Sequence, residues 1–263
     1  QKEFGDKKAR SITAIAMFYD LDDPNQFVGD IAKCLDKDGV FIIQMAYLPS
    51  MLVKNMFDNI CHEHLEYYSL LSLENLLKRH NLEVFDVELN DINGGSFRIY
   101  IKHQDGGQSI KIPEGVQKRT EDLRKYETEL GLNNRKIYDD FVMRVEEIKR
   151  KVSNFIKEET EKGKKIYVYG ASTKGNTLLQ YFNLDNTLIT AAAERSPAKW
   201  GKKTVGTNIP IISEEQARKE KPDYFLILPW HFIKEFKERE TEYIKSGGKF
   251  IVPLPEFEII DKI

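Results

Sequence analysis

The sequence predicts an α/β protein with two sheets, and three observations lead to that fold class. Residues 11–47 read as strand, helix and strand, which is the parallel crossover unit of an open sheet. Strand and helix patterns alternate again over residues 163–263. Between them, residues 116–162 contain one glycine and no proline and carry apolar residues at helical spacing, which predicts long connecting helices.

In the first crossover unit, the apolar run at residues 11–17 predicts a buried strand. Pro24 suits the first turn of a helix, which we expect to end at the D-K-D-G turn before Gly39. A second buried strand follows at residues 40–47. These elements predict an open sheet covered by helices.

The next segment predicts an antiparallel hairpin that closes the edge of this sheet. A helix capped by Ser69 or Ser72 precedes two alternating strands, at residues 82–89 and 96–103, which are joined by the tight turn Asn93-Gly94-Gly95.

Residues 104–115 are rich in Gln, Asp, Gly and Pro, which is typical of a domain boundary. We therefore predict three parts, namely residues 1–110, connecting helices at 111–162 and a doubly wound, Rossmann-like domain at 163–263. The predicted elements of the last part are strands 165–169, 188–193, 224–228 and 250–252 and helices 174–182, 214–221 and 232–245.

Composition limits the classes of function. The 40 Lys and Arg residues nearly balance 42 Asp and Glu residues, so no nucleic-acid partner is expected. Two cysteines are too few for a disulfide framework, which favours a cytoplasmic setting, and the absence of a long apolar stretch argues against a membrane partner. The sequence does not begin with Met, so a fragment of a longer protein is an open interpretation.

Cys61-His62-Glu63-His64 uses two of the five histidines. A metal site would need a further ligand at a suitable spacing, and we expect none. A histidine beside a carboxylate is typical of a general base near neutral pH. A purely structural role for these histidines is the alternative that remains open.

In the second half, residues 170–176 join a strand to a helix, where open sheets receive ligands. This stretch lacks the dinucleotide and Walker spacings, although Glu194 stands where an acidic residue would meet a ribose. The competing interpretation is that its glycines only permit close packing. Trp230 and His231 follow another strand and could hold a sugar or base, or Trp230 could be a hydrophobic plug.

Asp58 to Leu70, D-N-I-C-H-E-H-L-E-Y-Y-S-L, closely resembles the D-x-I-Y-H-E-H-x-x-Y-x-S-L signature of the S-adenosylmethionine-dependent C-methyltransferases that act on nucleotide-linked deoxy sugars. Four further blocks agree in order. They are residues 93–100, like H-G-G-S-L-R-V-Y; 169–179, like Y-G-A-x-x-K-G-N-T-L-L; 194–211, like D-R-N-P-x-K-x-G-x-x-x-P-G-T-x-I-P-I; and 222–232, like P-D-Y-x-L-x-L-x-W-N-F.

The resemblance implies a three-part plan: a cysteine-rich zinc module, a class I methyltransferase domain, and a second Rossmann-like domain that binds no dinucleotide. By that comparison this sequence begins inside the methyltransferase sheet, with residues 11–17 as its fourth strand. The loop that binds S-adenosylmethionine and the zinc module would then lie outside the sequence, and the cofactor-binding residues stay unknown.

The implied reaction is methylation of a carbon beside the ketone of a nucleotide-linked keto-deoxy sugar, as in deoxysugar biosynthesis. The resemblance assigns His64 as the base and Glu63 as its partner. It places His62, Tyr67 and Tyr68 in the sugar pocket. The hypothesis built on it adds Lys174 and Asn176 as residues that hold the sugar nucleotide, with Trp230 and His231 as further substrate-binding candidates because of their place at a strand end; His231 stands where the family has asparagine. Cys61 departs from the family tyrosine, and a thiol does not replace a phenol's hydrogen bond at the same reach.

Two other functions stay open at this point. One is a non-catalytic nucleotide-sugar-binding module, because the cofactor half is missing. The other is an NAD-dependent oxidoreductase, which is suggested by Glu194 and the turn at Gly170.

Overall fold

The computed structural model describes residue 5 and residues 7–262. They form two compact units, the first made of the described residues up to Leu52 and His62–Ile137, and the second of Val53–Cys61 and the residues from Tyr138 onward. The signature block at residues 58–70 is therefore divided, with residues 58–61 in the second unit and residues 62–70, which include H-E-H, in the first. The predicted division at residues 110 and 162 stays a prediction. No helix in the described ranges is long and apolar enough to cross a membrane.

The first sheet has four strands in the order β1-β2-β4-β3. β1 and β2 are parallel, whereas β4 is antiparallel to both β2 and β3, which confirms the predicted parallel pair and the hairpin. The elements up to residue 130 are β1 (Ala9–Ile15), α1 (Pro24–Cys34), β2 (Leu35–Ala46), α2 (Leu48–Val53), α3 (Leu70–Lys78), β3 (Leu82–Asn90), β4 (Ser96–His103) and α4 (Val116–Leu130).

The core of the first unit follows the alternation of the strands. Phe97, Ile99 and Ile101 of β4 are fully buried and pack with Phe41 and Ile43 of β2, because side chains two residues apart lie on the same face. The predicted cap of α3 is confirmed, since the Ser69 hydroxyl accepts from the Ser72 N–H in a capping box.

The second sheet has six strands in the order β7-β6-β5-β8-β9-β10, of which all but β10 run parallel. The chain leaves β5 toward β6 and later returns to add β8 on the other side of β5. Its elements, from residue 135, are α5 (Arg135–Glu161), β5 (Ile166–Tyr169), α6 (Thr173–Tyr181), β6 (Ala191–Glu194), β7 (Ile211–Ser213), α7 (Glu214–Glu220), β8 (Tyr224–Ile227), α8 (Ile233–Arg239), α9 (Thr241–Lys245), β9 (Lys249–Val252) and β10 (Glu258–Ile260).

The D-K-D-G residues, predicted as the turn between α1 and the second strand, belong to β2. The helix stops at Cys34 and the D-K-D-G residues join β2, where Leu35 pairs with Ala9 and Val40 with Ser11 across an irregular register. The Asp36 carboxylate accepts from the Asp38 N–H, so the local turn is a bulge within the strand.

The predicted helix over residues 232–245 is interrupted. The break lies at Glu240, whose φ of −106° and ψ of +24° are not helical, and whose buried carboxylate accepts from the Tyr169 hydroxyl at 2.7 Å and pairs with Arg218. The short strands β7 and β10 were missed, since three residues carry too little pattern to predict a strand.

Candidate functional site

The segment that contains His64 runs along the carboxyl ends of two parallel strands of the first unit. After β1, the Tyr19 carbonyl accepts from the N–H groups of Leu65 and Glu66 at 2.9 and 3.1 Å. After β2, the Leu48 N–H donates to the Tyr68 carbonyl at 2.9 Å. Open α/β sheets bind ligands at this edge, so the backbone places the segment where chemistry is expected.

His64 lies against an aromatic ring and near a second carboxylate. Its ring centroid is 4.4 Å from that of Tyr19. Burial raises the pKa of Asp20, the His64 charge lowers it, and the Glu63 charge raises it, which places all three groups within electrostatic range. Glu63 also lies beside His62, with 3.7 Å between Oε2 and Nδ1. Sequence reasoning missed Asp20, because an acidic turn after a strand carries no distinctive spacing.

The two predicted tyrosines differ in burial. Tyr68 is 6% exposed and packs its ring against Phe18 at 5.3 Å, so it anchors the segment in the core. Burial is the main cause that raises the pKa of its phenol. Tyr67 is partly exposed, as is His64, while His62 and Glu63 are exposed. The roles of these residues at a substrate stay predictions.

A buried carboxylate fixes the far end of the segment. Glu127 of α4 is fully buried and accepts from the N–H groups of Leu70 and Leu71 at 2.6 and 2.9 Å and from the Tyr47 hydroxyl at 2.9 Å. Leu70 and Leu71 are the first two residues of α3, and Tyr47 is the residue directly after β2. Glu127 thereby joins three elements through one side chain, which no local pattern predicts.

The second unit gathers polar residues at the carboxyl ends of β5 and β8. These strands are neighbours whose connections leave in opposite directions, which creates the crevice where open sheets bind ligands. The Trp230 indole N–H donates to Asp58 Oδ2 at 3.1 Å. We call Asp58, Lys174, Trp230 and His231 the switch-point cluster.

The cluster is largely shielded from water, and its charges interact. Burial lowers the pKa of Lys174, and the Asp58 and Cys61 charges oppose that shift. Burial raises the pKa of Asp58, against the Lys174 charge and the Trp230 hydrogen bond. Burial and Lys174 lower the pKa of His231 to about 4, so its ring is neutral at pH 7.

Two buried atoms of the cluster have no hydrogen-bond partner within the described residues, namely Asp58 Oδ1 and His231 Nδ1. Asn176, the other predicted binding residue of this region, lies in the first turn of α6 and donates its N–H to the Ser172 carbonyl at 3.0 Å. The structure therefore groups Lys174, Trp230 and His231, and it adds Asp58. The D-N-I-C-H-E-H block contained the signal for Asp58, but no role followed from its spacing.

Glu194, which was considered as a ribose ligand, is engaged by the protein itself. Its carboxylate accepts from the N–H groups of Ala171 and Ser196, both at 2.9 Å, and pairs with Lys199 at 3.3 Å. Although burial alone would raise the pKa of Glu194, these donors hold it below the usual range.

The glycines of residues 170–176 have a packing role. A Cβ on Gly170 would lie 2.8 Å from Pro229 Cγ, at a φ of +88°, and one on Gly175 would lie 2.9 Å from Leu228 Cδ1. Because these side chains are missing, the loop after β5 and the first turn of α6 can pack closely against residues 228 and 229, which follow β8. In the part of the chain that the structure describes, no group of three or more His, Cys, Asp or Glu side chains could hold a metal ion.

Comparison with known proteins assigns the class. Residues 1–87 match the model of a methyltransferase domain, and residues 91–255 match that of the C-methyltransferase C-terminal domain. The chain belongs to the family of proteins that carry this C-methyltransferase C-terminal domain.

A curated relative agrees with the family. The C-methyltransferase NovU of Streptomyces niveus is 32% identical over 252 residues, which cover 96% of this chain and 59% of NovU. The chain thus spans about three fifths of the length of that relative.

Two solved structures show only a distant likeness. A complex of the Haloferax volcanii Trm112 methyltransferase activator with a methyltransferase is 19% identical, with a TM-score of 0.29 over 32% of this chain and 38% of that one. An O-methyltransferase family protein from Burkholderia thailandensis is 12% identical, with a TM-score of 0.30 over 39% of this chain and 32% of that one. Neither likeness carries a structural conclusion.

Proposed function

We propose that this chain takes part in transferring a methyl group to the carbon beside the ketone of a nucleotide-linked keto-deoxy sugar, with His64 as the general base. Family membership and the similarity to NovU support the methyl transfer to carbon. The observation that supports the base is the position of His64, on a segment tied to the carboxyl ends of β1 and β2 by three backbone hydrogen bonds.

The chemistry requires a base because a C–H bond is a poor nucleophile until its proton is removed. A ketone makes the neighbouring C–H acidic, and an imidazole takes the proton as the enolate forms. Asp20, near His64, would favour the imidazolium that results. The exposed pair of His62 and Glu63 would flank the bound sugar.

S-adenosylmethionine is the methyl donor that the family implies, and it would supply an electrophilic methyl group. Among the described residues, no glycine-rich turn follows β1 or β2 at the carboxyl edge of the first sheet. The described residues therefore do not fit a complete donor site, and we assign no step to the donor.

Methyl transfer in the complete protein tests the role of His64. We expect His64→Gln to lower kcat by about 10²- to 10⁴-fold, the usual contribution of a general base. His80→Gln is the matched control, because His80 contacts Asn25 on an exposed surface. Equal turnover of His64→Gln and the wild type would refute the assignment.

A second candidate function is binding of a nucleotide sugar without catalysis. The switch-point cluster favours it, because this cluster is formed entirely by residues of the second unit and needs no group from a donor. Saturable binding of a nucleotide sugar, together with no methyl transfer by the complete protein, would favour this function over the first.

A further inference from the structure

His64 lies against the ring of Tyr19, a residue to which the proposed function gives no role. The two ring centroids are 4.4 Å apart, with 55° between the ring planes. Tyr19 belongs to the short 3₁₀ turn Phe18–Asp20 that follows β1, and it is half-buried. A phenol-bearing ring therefore lies next to the side chain that the proposed function assigns as the base.

The backbone fixes this pair of rings in place. The Tyr19 carbonyl accepts from the N–H groups of Leu65 and Glu66, which follow the base directly in the sequence, at 2.9 and 3.1 Å. Phe18 anchors the turn itself, because its side chain is fully buried. Both sides of the ring contact are thus positioned before a substrate binds, which is the condition under which a hydrogen-bond donor stabilises a transition state most.

Removal of the substrate proton places negative charge on the ketone oxygen. As the C–H bond breaks, its electron pair forms the carbon–carbon double bond of the enolate, the carbonyl π pair moves onto oxygen, and the proton goes to the imidazole. This oxygen lies about 2.4 Å from the carbon that loses the proton, given C–C and C=O bonds of about 1.5 and 1.2 Å. A donor that stabilises the charge must consequently lie close to the base.

Two other tyrosines of the first unit are committed to the interior. Tyr68 is 6% exposed, and its ring packs 5.3 Å from that of Phe18. Tyr47 is 1% exposed, and its hydroxyl donates to Glu127 at 2.9 Å. The ring of Tyr19, by contrast, is half-buried and borders on the base.

Resting on the proposed function, we propose that Tyr19 is a further catalytic residue, whose phenol donates a hydrogen bond to the ketone oxygen while His64 takes the proton from the neighbouring carbon. The phenol keeps its own proton throughout. The carboxylates of Asp20 and Glu63 do not suit this role, because an ionised carboxylate accepts hydrogen bonds but does not donate them. Tyr67, which is also half-buried, is the competing phenol.

Exchange of the substrate proton for deuterium measures the role of the phenol without a methyl donor. The full chain is incubated in D₂O with a thymidine-diphosphate 4-keto deoxysugar, and kcat and KM for exchange are compared between the wild type, Tyr19→Phe, Tyr67→Phe and Tyr126→Phe. The last variant is the matched control, because Tyr126 is an exposed residue of α4.

We expect Tyr19→Phe to lower kcat for exchange by about 10²- to 10³-fold, the usual contribution of one donor to a developing oxyanion, and to leave KM nearly unchanged. Tyr126→Phe should match the wild type. Exchange at the wild-type rate in Tyr19→Phe would overturn the proposal. If Tyr67→Phe alone were slow, the donor would be Tyr67 instead.

A more acidic phenol separates hydrogen-bond donation from ring packing. Tyr19→3-fluorotyrosine keeps the ring beside His64 but donates a stronger hydrogen bond, so exchange near neutral pH should be faster by about twofold or more. An unchanged rate would show that the ring only packs against the base, and would overturn the proposal. The ¹⁹F NMR signal should also shift saturably as the keto sugar is added; an unmoved signal would show that Tyr19 does not touch the substrate.

These outcomes separate the inference from the proposed function. Slow exchange in His64→Gln together with full exchange in Tyr19→Phe would keep the base and refute the donor. Full exchange in His64→Gln together with slow exchange in Tyr19→Phe would refute the base and keep the donor. A wild-type chain that exchanges the proton no faster than buffer would contradict both.

Discussion

Glu127→Gln should destabilise the first unit by an amount that follows from three hydrogen bonds. Glu127 Oε1 accepts from the Leu70 N–H and the Tyr47 hydroxyl, and Oε2 accepts from the Leu71 N–H. A glutamine amide has one oxygen and one NH₂ group. In either orientation, its NH₂ group faces a backbone N–H of α3, so one buried donor loses its acceptor.

The magnitude has two parts. An unsatisfied buried N–H costs about 1–3 kcal/mol, and the remaining bonds lose the assistance of the carboxylate charge, which is worth about another 1 kcal/mol. We therefore expect the free energy of unfolding to fall by about 2–4 kcal/mol in total. The first turn of α3 is the structure affected, because Leu70 and Leu71 carry its first two N–H groups.

Urea titration followed through the amide signals of Ile43 and Ile99 would measure the stability of the first unit. Glu129→Gln is the matched control, since Glu129 is an exposed residue of the same helix and should change stability by less than about 0.5 kcal/mol. Equal stability of Glu127→Gln and Glu129→Gln would refute the account of Glu127 as the acceptor that joins these elements.

Three shorter predictions concern the second unit. The pKa of His231 is lowered to about 4 in the folded state, so the unfolded state takes up a proton first as the pH falls. The contribution of His231 to the free energy of unfolding is therefore fully present above about pH 6.5 and is lost toward pH 4. Urea titrations at pH 7 and pH 5 should show that the free energy of unfolding falls less between these two pH values in His231→Gln than in the wild type. Gly170→Ala should lower stability more than Gly163→Ala, because both glycines have positive φ but only Gly170 would bring a Cβ within 4 Å of Pro229. Glu194→Gln should lower the thermal midpoint, because an NH₂ group would face one of two backbone donors; an unchanged midpoint would contradict this role.

Sequence patterns predicted most of the helices and strands, because the alternation and the capping residues that mark these elements lie within or next to each element. β4 alternates without interruption and has the predicted bounds of Ser96–His103, and Ser69 caps α3 as expected. The predictions failed at positions that are bound by residues distant in sequence. Glu240 lies at the break between α8 and α9, and its carboxylate binds Tyr169 and Arg218 of other elements, neither of which is close in sequence.

The candidate sites divide in the same way. The H-E-H signature drew attention to His64, and a strand end drew attention to Trp230 and His231. Asp20 and Asp58 were not assigned roles, because a carboxylate becomes informative only when the fold shows which charged groups surround it. A packing role for Gly170 was one of two interpretations of its loop. The position of Pro229, which the sequence does not reveal, supports that role.

Proton exchange tests the central claim most directly, because it needs the base and the ketone but no methyl donor. The chain is incubated in D₂O with a thymidine-diphosphate 4-keto deoxysugar, and NMR follows the proton on the carbon beside the ketone. We expect the chain to speed its replacement by deuterium, and His64→Gln to lower that rate by about 10²-fold or more, while His80→Gln keeps it. Exchange that proceeds equally fast in His64→Gln would contradict the assignment of His64 as the base.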